Sequence, residues 1–188
     1  MEGKIPVPIR SDRIGVVIGK GGVNKRRIEE TFGVTIEVDD KRGIVYLIPG
    51  RDSSPFRVLK AKKAIEAISL GFSVEDALSL SEDLVDFDTI DISESARNRN
   101  DLVRIKSRII GTRGRFKKTL EEMTGARIVV SDKMVGVIGD YEQIRVVREA
   151  IQRILRGQSH RSVIQFLEDE TRILKRRRIE LWEKWSHF

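Results

Sequence analysis

Apolar and polar positions change period in a fixed order along this chain, and then repeat that order. KIPVPI, residues 4–9, alternates as a short strand, and Pro6 and Pro8, which cannot donate to a ladder, restrict it to a sheet edge or a strand end. SDRIGVVI and VNKRRIEETF carry helical spacing on either side of a glycine-rich break, with Gly33 as the stop signal. VTIEVD and GIVYLIP alternate as a hairpin around a turn at 39–43. Ser53 or Ser54 is the cap, and Pro55 the first turn, of a helix expected to bury Leu59, Ile65 and Ile68. The order is strand, helix, helix, strand, strand, helix.

The same order returns as DTIDIS, a cation-rich helix around LVRIKSRII, the break GTRG, FKKTLEEMT, a hairpin over ARIVVSDKMVGVIG and a helix from Tyr141 to about Arg156. Shifting the chain by 92 positions lays residues 18–41 on residues 110–133: Gly19 falls on Gly111, Gly22 on Gly114, Glu29 and Glu30 on Glu121 and Glu122, Gly33 on Gly125, and Val38 on Val130. The chain is therefore two copies of one unit. The predicted division is 1–75 for the first unit, 76–87 for an acidic linker, 88–157 for the second unit and 158–188 for a helical extension. In the extension Val163, Phe166, Leu167, Leu174, Leu181, Trp182 and Trp185 form a candidate apolar face that packs on the units.

Charge sharpens this reading. The 188 residues carry +7, yet residues 64–96 hold nine carboxylates and no Lys or Arg, so the remainder carries +16. Cations gathered around glycine loops point to a polyanion-binding face. The absence of cysteine excludes disulfides and thiolate metal sites. His160 and His187 are read as core or surface histidines rather than zinc ligands. No apolar run is long enough to span a membrane, and a cytoplasmic protein without cofactor or membrane association is expected.

A short loop between two helices aims the amides of the second helix at one spot, where they and the helix dipole favour a phosphate, and glycines let a nucleic-acid backbone come close. Ile14, Val17, Ile36 and Val38 are then placed to floor a groove for bases. The Walker loop does not fit, because Ile14 and Gly21 stand where it needs glycine and a hydroxyl. Asn24 likewise breaks the dinucleotide fingerprint.

With I-G-x-x-G between two helices, twice, and a glycine 11 residues after each loop, the chain resembles the KH family of RNA-binding domains. The resemblance implies an α+β protein: two tandem type I KH domains, each a three-stranded antiparallel sheet packed by helices, plus the C-terminal helical extension. It implies single-stranded RNA as partner, clamped at the loop and read in an aliphatic groove. The first clamp would be Gly19, Lys20, Gly21 and Gly22, and the second Gly111, Thr112, Arg113 and Gly114. Lys25, Arg26 and Arg27, then Arg104, Lys106, Arg108, Arg115, Lys117 and Lys118, would track phosphates. Lys25 and Lys117 depart from the family, which usually has an aliphatic residue there. With seven cations in residues 104–118, the second unit is expected to supply more electrostatic affinity.

GKGGVNKRRIEE, GFSVEDAL, FDTIDISE and IIGTRGR narrow the resemblance to two-KH factors of small-subunit rRNA processing. This implies a non-enzymatic assembly factor binding near the 3′ end of small-subunit rRNA in the subunit precursor, in association with the Nob endonuclease and a dimethyladenosine transferase. Two alternatives belong to other classes. One is a Mg²⁺ nuclease on Asp86, Asp88 and Asp91, read as one strand face. The other is a protein adaptor that docks partners on the acidic linker and the C-terminal helix.

Overall fold

A computed structural model describes residues 3–51 and 53–185, with side chains in the last helix described up to residue 173. The first unit runs β1 (Ile5–Pro8), α1 (Ser11–Ile18), α2 (Val23–Phe32), β2 (Val34–Asp39), β3 (Ile44–Pro49) and α3 (Pro55–Leu70). A short helix α4 (Val74–Leu78) follows. The second unit runs β4 (Asp86–Asp91), α5 (Arg99–Ile110), α6 (Arg115–Thr124), β5 (Arg127–Val130), β6 (Met134–Gly139) and α7 (Tyr141–Leu155), and α8 (His160–Trp185) closes the chain. Each unit holds an antiparallel sheet of three strands, in the order β1-β3-β2 and β4-β6-β5. Pro6 and Pro8 sit on an edge strand, as their missing donors demand.

Local chemistry sets the boundaries. Gly33 and Gly125 end α2 and α6 in the left-handed region. The Ser54 hydroxyl accepts the Arg57 amide at 3.3 Å, with Pro55 as the first residue of α3. Asp140 and Gln143 form a reciprocal capping box on α7. Ile65 and Ile68 are fully buried, whereas Leu59 is 49 % exposed. The expected burial of Leu59 is thus corrected, because it sits at the open edge of α3, between Ile5 and Pro49 of its own sheet on one side and a cleft toward the second unit on the other. Val163 and Leu167 of α8 are buried with the second core and Phe166 packs against it. Leu174, Leu181, Trp182, Trp185 and His187 fall outside the described side chains.

The two sheets are buried differently. In β3 burial alternates, since one face meets helices and the other meets water. In β6 five successive residues, Val135–Gly139, are buried. Val135 and Val137 face their own helices, while Ile138 and Phe87 join the hydrophobic core of the first unit. The outer face of the second sheet is therefore covered by the end of α3 and the segment after it. Phe72 meets Phe87 edge-on at 6.0 Å between ring centroids. A Cβ on Gly136 would stand 2.3 Å from Leu70 Cδ2 and 2.8 Å from Phe72 Cε2, so only glycine admits them.

The residues between the units are correspondingly not a free tether. Phe72, Val74, Ala77 and Leu80 are buried. Lys60, the one buried charged residue among those described, donates to the backbone carbonyls of Val85 and Glu82. Lys63 reaches Asp86 at 2.6 Å and Arg127 reaches Asp76 at 3.6 Å.

Two expectations follow. Gly136→Val undocks the units, destabilising the chain by about 1–3 kcal/mol and splitting one denaturation transition into two. A single unshifted transition would contradict the docking. Burial works to raise the Asp86 pKa, but the hydrogen bonds from Lys63 and the Phe87 amide, with the charges of Lys63 and Lys60, bring it below the ordinary 3.8. The ion pair therefore adds stability above that value and loses it as pH falls through the lowered pKa. Asp86→Asn should cost up to about 1 kcal/mol at neutral pH, since the pair is half-exposed, and nothing in strong acid.

Candidate nucleic-acid interface

The two glycine loops share one backbone path. Gly19 and Gly111 end α1 and α5 at φ 69° and 75°, a 3-10 turn follows, and Gly22 and Gly114 open α2 and α6 in the left-handed region. No side chain caps either helix start. The middle of the turn is left-handed in both, at Gly21 (φ 61°, ψ 22°) and Arg113 (φ 54°, ψ 32°). Arg113 is the only non-glycine with positive φ among the described residues. A bulky L-residue there costs about 1–2 kcal/mol, so the second loop holds a cation at its tip against local preference.

Close packing supports each loop from below. Asn24 donates to the Val16 carbonyl at 2.8 Å, and a Cβ on Gly19 would meet its side chain at 2.6 Å. In the second unit Phe116 takes the place of Asn24, equally close to Gly111. The His160 ring stacks on Phe116 with centroids 4.1 Å apart, and its Nε2 lies 2.7 Å from the Arg108 carbonyl. The start of α8 thereby braces the second loop. This brace escaped the sequence because Phe116 and His160 are 44 positions apart with no shared periodicity.

The predicted cations divide into three groups. Lys20 and Arg26 at the first loop, and Arg113 and Arg115 at the second, make no hydrogen bond or ion pair to a described side chain. A second group is paired at the surface: Lys25 with Glu29, Lys117 with Glu121, Lys118 with Glu122, Arg104 with Asp101, Lys106 with Asp132, and Arg27 with Glu75. The Arg27 hydrogen bond lowers the Glu75 pKa, and the Arg97 amide and Arg104 lower that of Asp101. Arg108 stands apart, because its guanidinium donates to the backbone carbonyls of Ile154 (3.0 Å) and Gln158. Its assignment to phosphate is corrected: it ties α5 to the end of α7. Among the described side chains each loop therefore keeps two cations without a partner, and Arg104, Lys106, Lys117 and Lys118 of the second unit are held in ion pairs.

Lys25 and Lys117 also find an explanation. Glu29 accepts the Ile36 amide at 2.7 Å and Glu121 accepts the Ile128 amide at 2.9 Å. In both units the helix glutamate thus satisfies an outward amide of the edge strand, and the lysine four residues before it on the helix pairs with that carboxylate.

The groove floor needs correction. Val17 and Ile36 are 0 % exposed and Ile14 is buried, so these are core residues rather than base contacts. The accessible aliphatics of the same elements are half-buried Val16, Ile18 and Val38, and exposed Val23. The second unit has a distinct groove of about 630 Å³, walled by Leu102, Val103 and Lys106 of α5 and by Asp132 and Lys133 of the hairpin turn. Val103, 56 % exposed, is the residue that sequence reading missed; its only signal was an aliphatic on the polar side of an amphipathic helix. Asp86, Asp88 and Asp91 do not gather: Asp86 pairs with Lys63, Asp88 with Arg148, and Asp91 accepts from Ser93, out of phase with the other two. Among the described residues no three such groups come together, and no helix is long and apolar enough to cross a membrane.

Fold and loops together define a tandem of two β-α-α-β-β-α units, each with a left-handed glycine loop between its first two helices: the type I KH architecture. Family models agree, a KH domain over residues 4–67 and a eukaryotic type KH-domain (KH-domain type I) over residues 86–172. A KH domain-containing protein of Methanocaldococcus jannaschii is 38 % identical over 178 residues, 95 % of this chain and 78 % of that one. The RNA-binding protein pno1 of Ixodes scapularis is 35 % identical over 105 residues, 55 % of this chain and 45 % of that protein. In the crystal structure of the a/eIF2alpha–aDim2p–rRNA complex of Pyrococcus horikoshii, one chain superposes with a TM-score of 0.84 at 35 % identity, covering 90 % of this chain and 94 % of that one. The chain belongs to the KH-domain family, in the group of PNO1 and Dim2p. The match to the Ixodes scapularis protein spans less than half of that protein's length.

Replacing Arg113 by Gly removes the left-handed strain and should raise stability by about 0.5–1 kcal/mol after the added freedom of the unfolded glycine is discounted. Thermal unfolding beside a nucleic-acid titration checks this, with stability rising as affinity falls.

Proposed function

We propose that this protein is a non-enzymatic single-stranded RNA-binding factor that grips the 3′ end region of small-subunit rRNA and acts in pre-rRNA processing and small-subunit assembly. The observation that carries the reading is the duplicated loop: one left-handed path, twice, each opening an uncapped helix beside two cations with no partner among the described side chains. Backbone amides and cations at the loops suit phosphate, while a groove with few aromatic residues suits bases resting on aliphatics. The Pyrococcus relative, in a complex that contains rRNA, supports RNA over other polyanions. Pre-rRNA-processing relatives support the assembly role. Gly19, Lys20, Gly21 and Gly22 are the first proposed clamp and Gly111, Thr112, Arg113 and Gly114 the second, with Arg26 and Arg115 beside them. The paired lysines and arginines can exchange a carboxylate for a phosphate at little cost, because surface ion pairs are weak. The small-subunit precursor, a Nob-type endonuclease and a dimethyladenosine transferase are the proposed partners in this role.

The test is salt-dependent binding of a single strand from the organism's own small-subunit rRNA 3′ end, beside a scrambled strand and a duplex. Lys20→Asp/Gly21→Asp and Thr112→Asp/Arg113→Asp, each verified as folded, should weaken binding of the cognate strand by about tenfold or more and flatten its salt slope. Equal binding of all three nucleic acids, unchanged in both variants, would reject the reading.

A further inference from the structure

Seven large hydrophobic side chains are exposed among the described residues, and four of them, Phe56, Leu59, Leu84 and Tyr141, line a single cleft between the units. The cleft holds about 640 Å³. Its walls are two helices with the same arrangement. On α3, Phe56, Leu59, Lys60 and Lys63 stand at i, i+3, i+4 and i+7; on α7, Tyr141, Ile144, Arg145 and Arg148 repeat that spacing with the same sequence of aromatic, aliphatic, cation, cation. Leu84, 82 % exposed, projects from the segment between them.

Charge distinguishes this cleft from the loops. Its cations are all engaged: Lys60 by the Val85 carbonyl, Lys63 by Asp86, Arg145 by Glu142 and Glu170, and Arg148 by Asp88. Asp83 lines the rim with no described partner, next to exposed Glu82. The four cations stand among six carboxylates, Asp83, Asp86 and Asp88 of the lining with Glu82, Glu142 and Glu170 beside it, so a polyanion would meet net negative charge and RNA is the wrong occupant. A second copy is also a poor fit, since a symmetric dimer would set this concavity against itself and leave both unfilled.

We propose that the cleft receives an α-helix from a partner protein, seated by an apolar stripe at i, i+3 or i+4, and i+7, with Lys or Arg flanking it to meet Asp83 and Glu82. Two parallel-spaced helix walls offer ridges between which a third helix packs, and the volume suits roughly three buried side chains, as in helix-in-groove recognition. The site depends on the docking of the two units, because each contributes one wall, and it is independent of the RNA clamp.

A displayed library of helical peptides is selected on the full chain with the rRNA strand present at saturation. Selected peptides are then titrated against wild type, Leu84→Asp, Tyr141→Asp and the Lys20→Asp/Gly21→Asp loop variant. Leu84 and Tyr141 are solvent-exposed, so their variants should fold, which circular dichroism verifies. The expected peptides carry the apolar stripe with basic flanks, bind Leu84→Asp and Tyr141→Asp at least about tenfold more weakly, and bind the loop variant as well as wild type. Peptides without the stripe, or equally tight on the cleft variants, or displaced by RNA, would overturn the proposal. So would a concentration-dependent dimer in sedimentation that Leu84→Asp abolishes.

Discussion

One close approach organises this molecule: Leu70 and Phe72 lie against the bare backbone of Gly136, in the middle strand of the second sheet. A three-stranded sheet covered by helices on one face leaves its other face to water. Here that face is buried by the preceding unit, so the two repeats become one body with a shared apolar seam. The constraint reaches outward from there. It makes the acidic segment after α3 part of the core, with Phe72, Val74, Ala77 and Leu80 buried. It also sets α3 beside α7, which creates the cleft whose walls belong to different units.

At the loops the controlling chemistry is backbone rather than side chain. Both loops take the same left-handed path, and the helices that follow start without caps, leaving amides and dipole for an external acceptor. The first loop follows the path with glycine at its centre, and the second follows it with Arg113, exchanging conformational ease for a charge at the tip. Below the loops the supports differ: Asn24 in one unit, Phe116 stacked on His160 in the other. The two copies share the shape of the loop while its supports differ.

Most of the architecture was legible because its signals are local. The edge prolines of β1, the stops at Gly33 and Gly125, the caps before α3 and the duplicated loop each act within a few residues, and every one appears where expected. The misassigned residues share a different cause. Val17 and Ile36 were read as groove floor because periodicity says that a side chain faces inward without saying whether the inside is a groove or a core. Arg108 was read as a phosphate contact because a cation beside a loop looks the same whether it meets solvent or the carbonyls of a helix 46 residues away. Leu59 was assigned to the core since its own unit offers no hint that a second unit opens a cleft beside it.

The sequence by itself determined the repeat, the order of elements, the two glycine loops and the excess of positive charge, because spacing, capping and glycine conformation are properties of neighbouring residues. Tertiary structure alone decided which cations remain unpaired, that both faces of the second sheet are covered, and that exposed apolar side chains converge between the units. The run VGVIG does record the double burial of β6, but a continuous apolar strand specifies only that both faces are covered, and the covering partner is set by packing across some 65 residues of chain. Ion pairing and docking are distance-dependent interactions between groups remote in sequence, and folding alone brings them within reach.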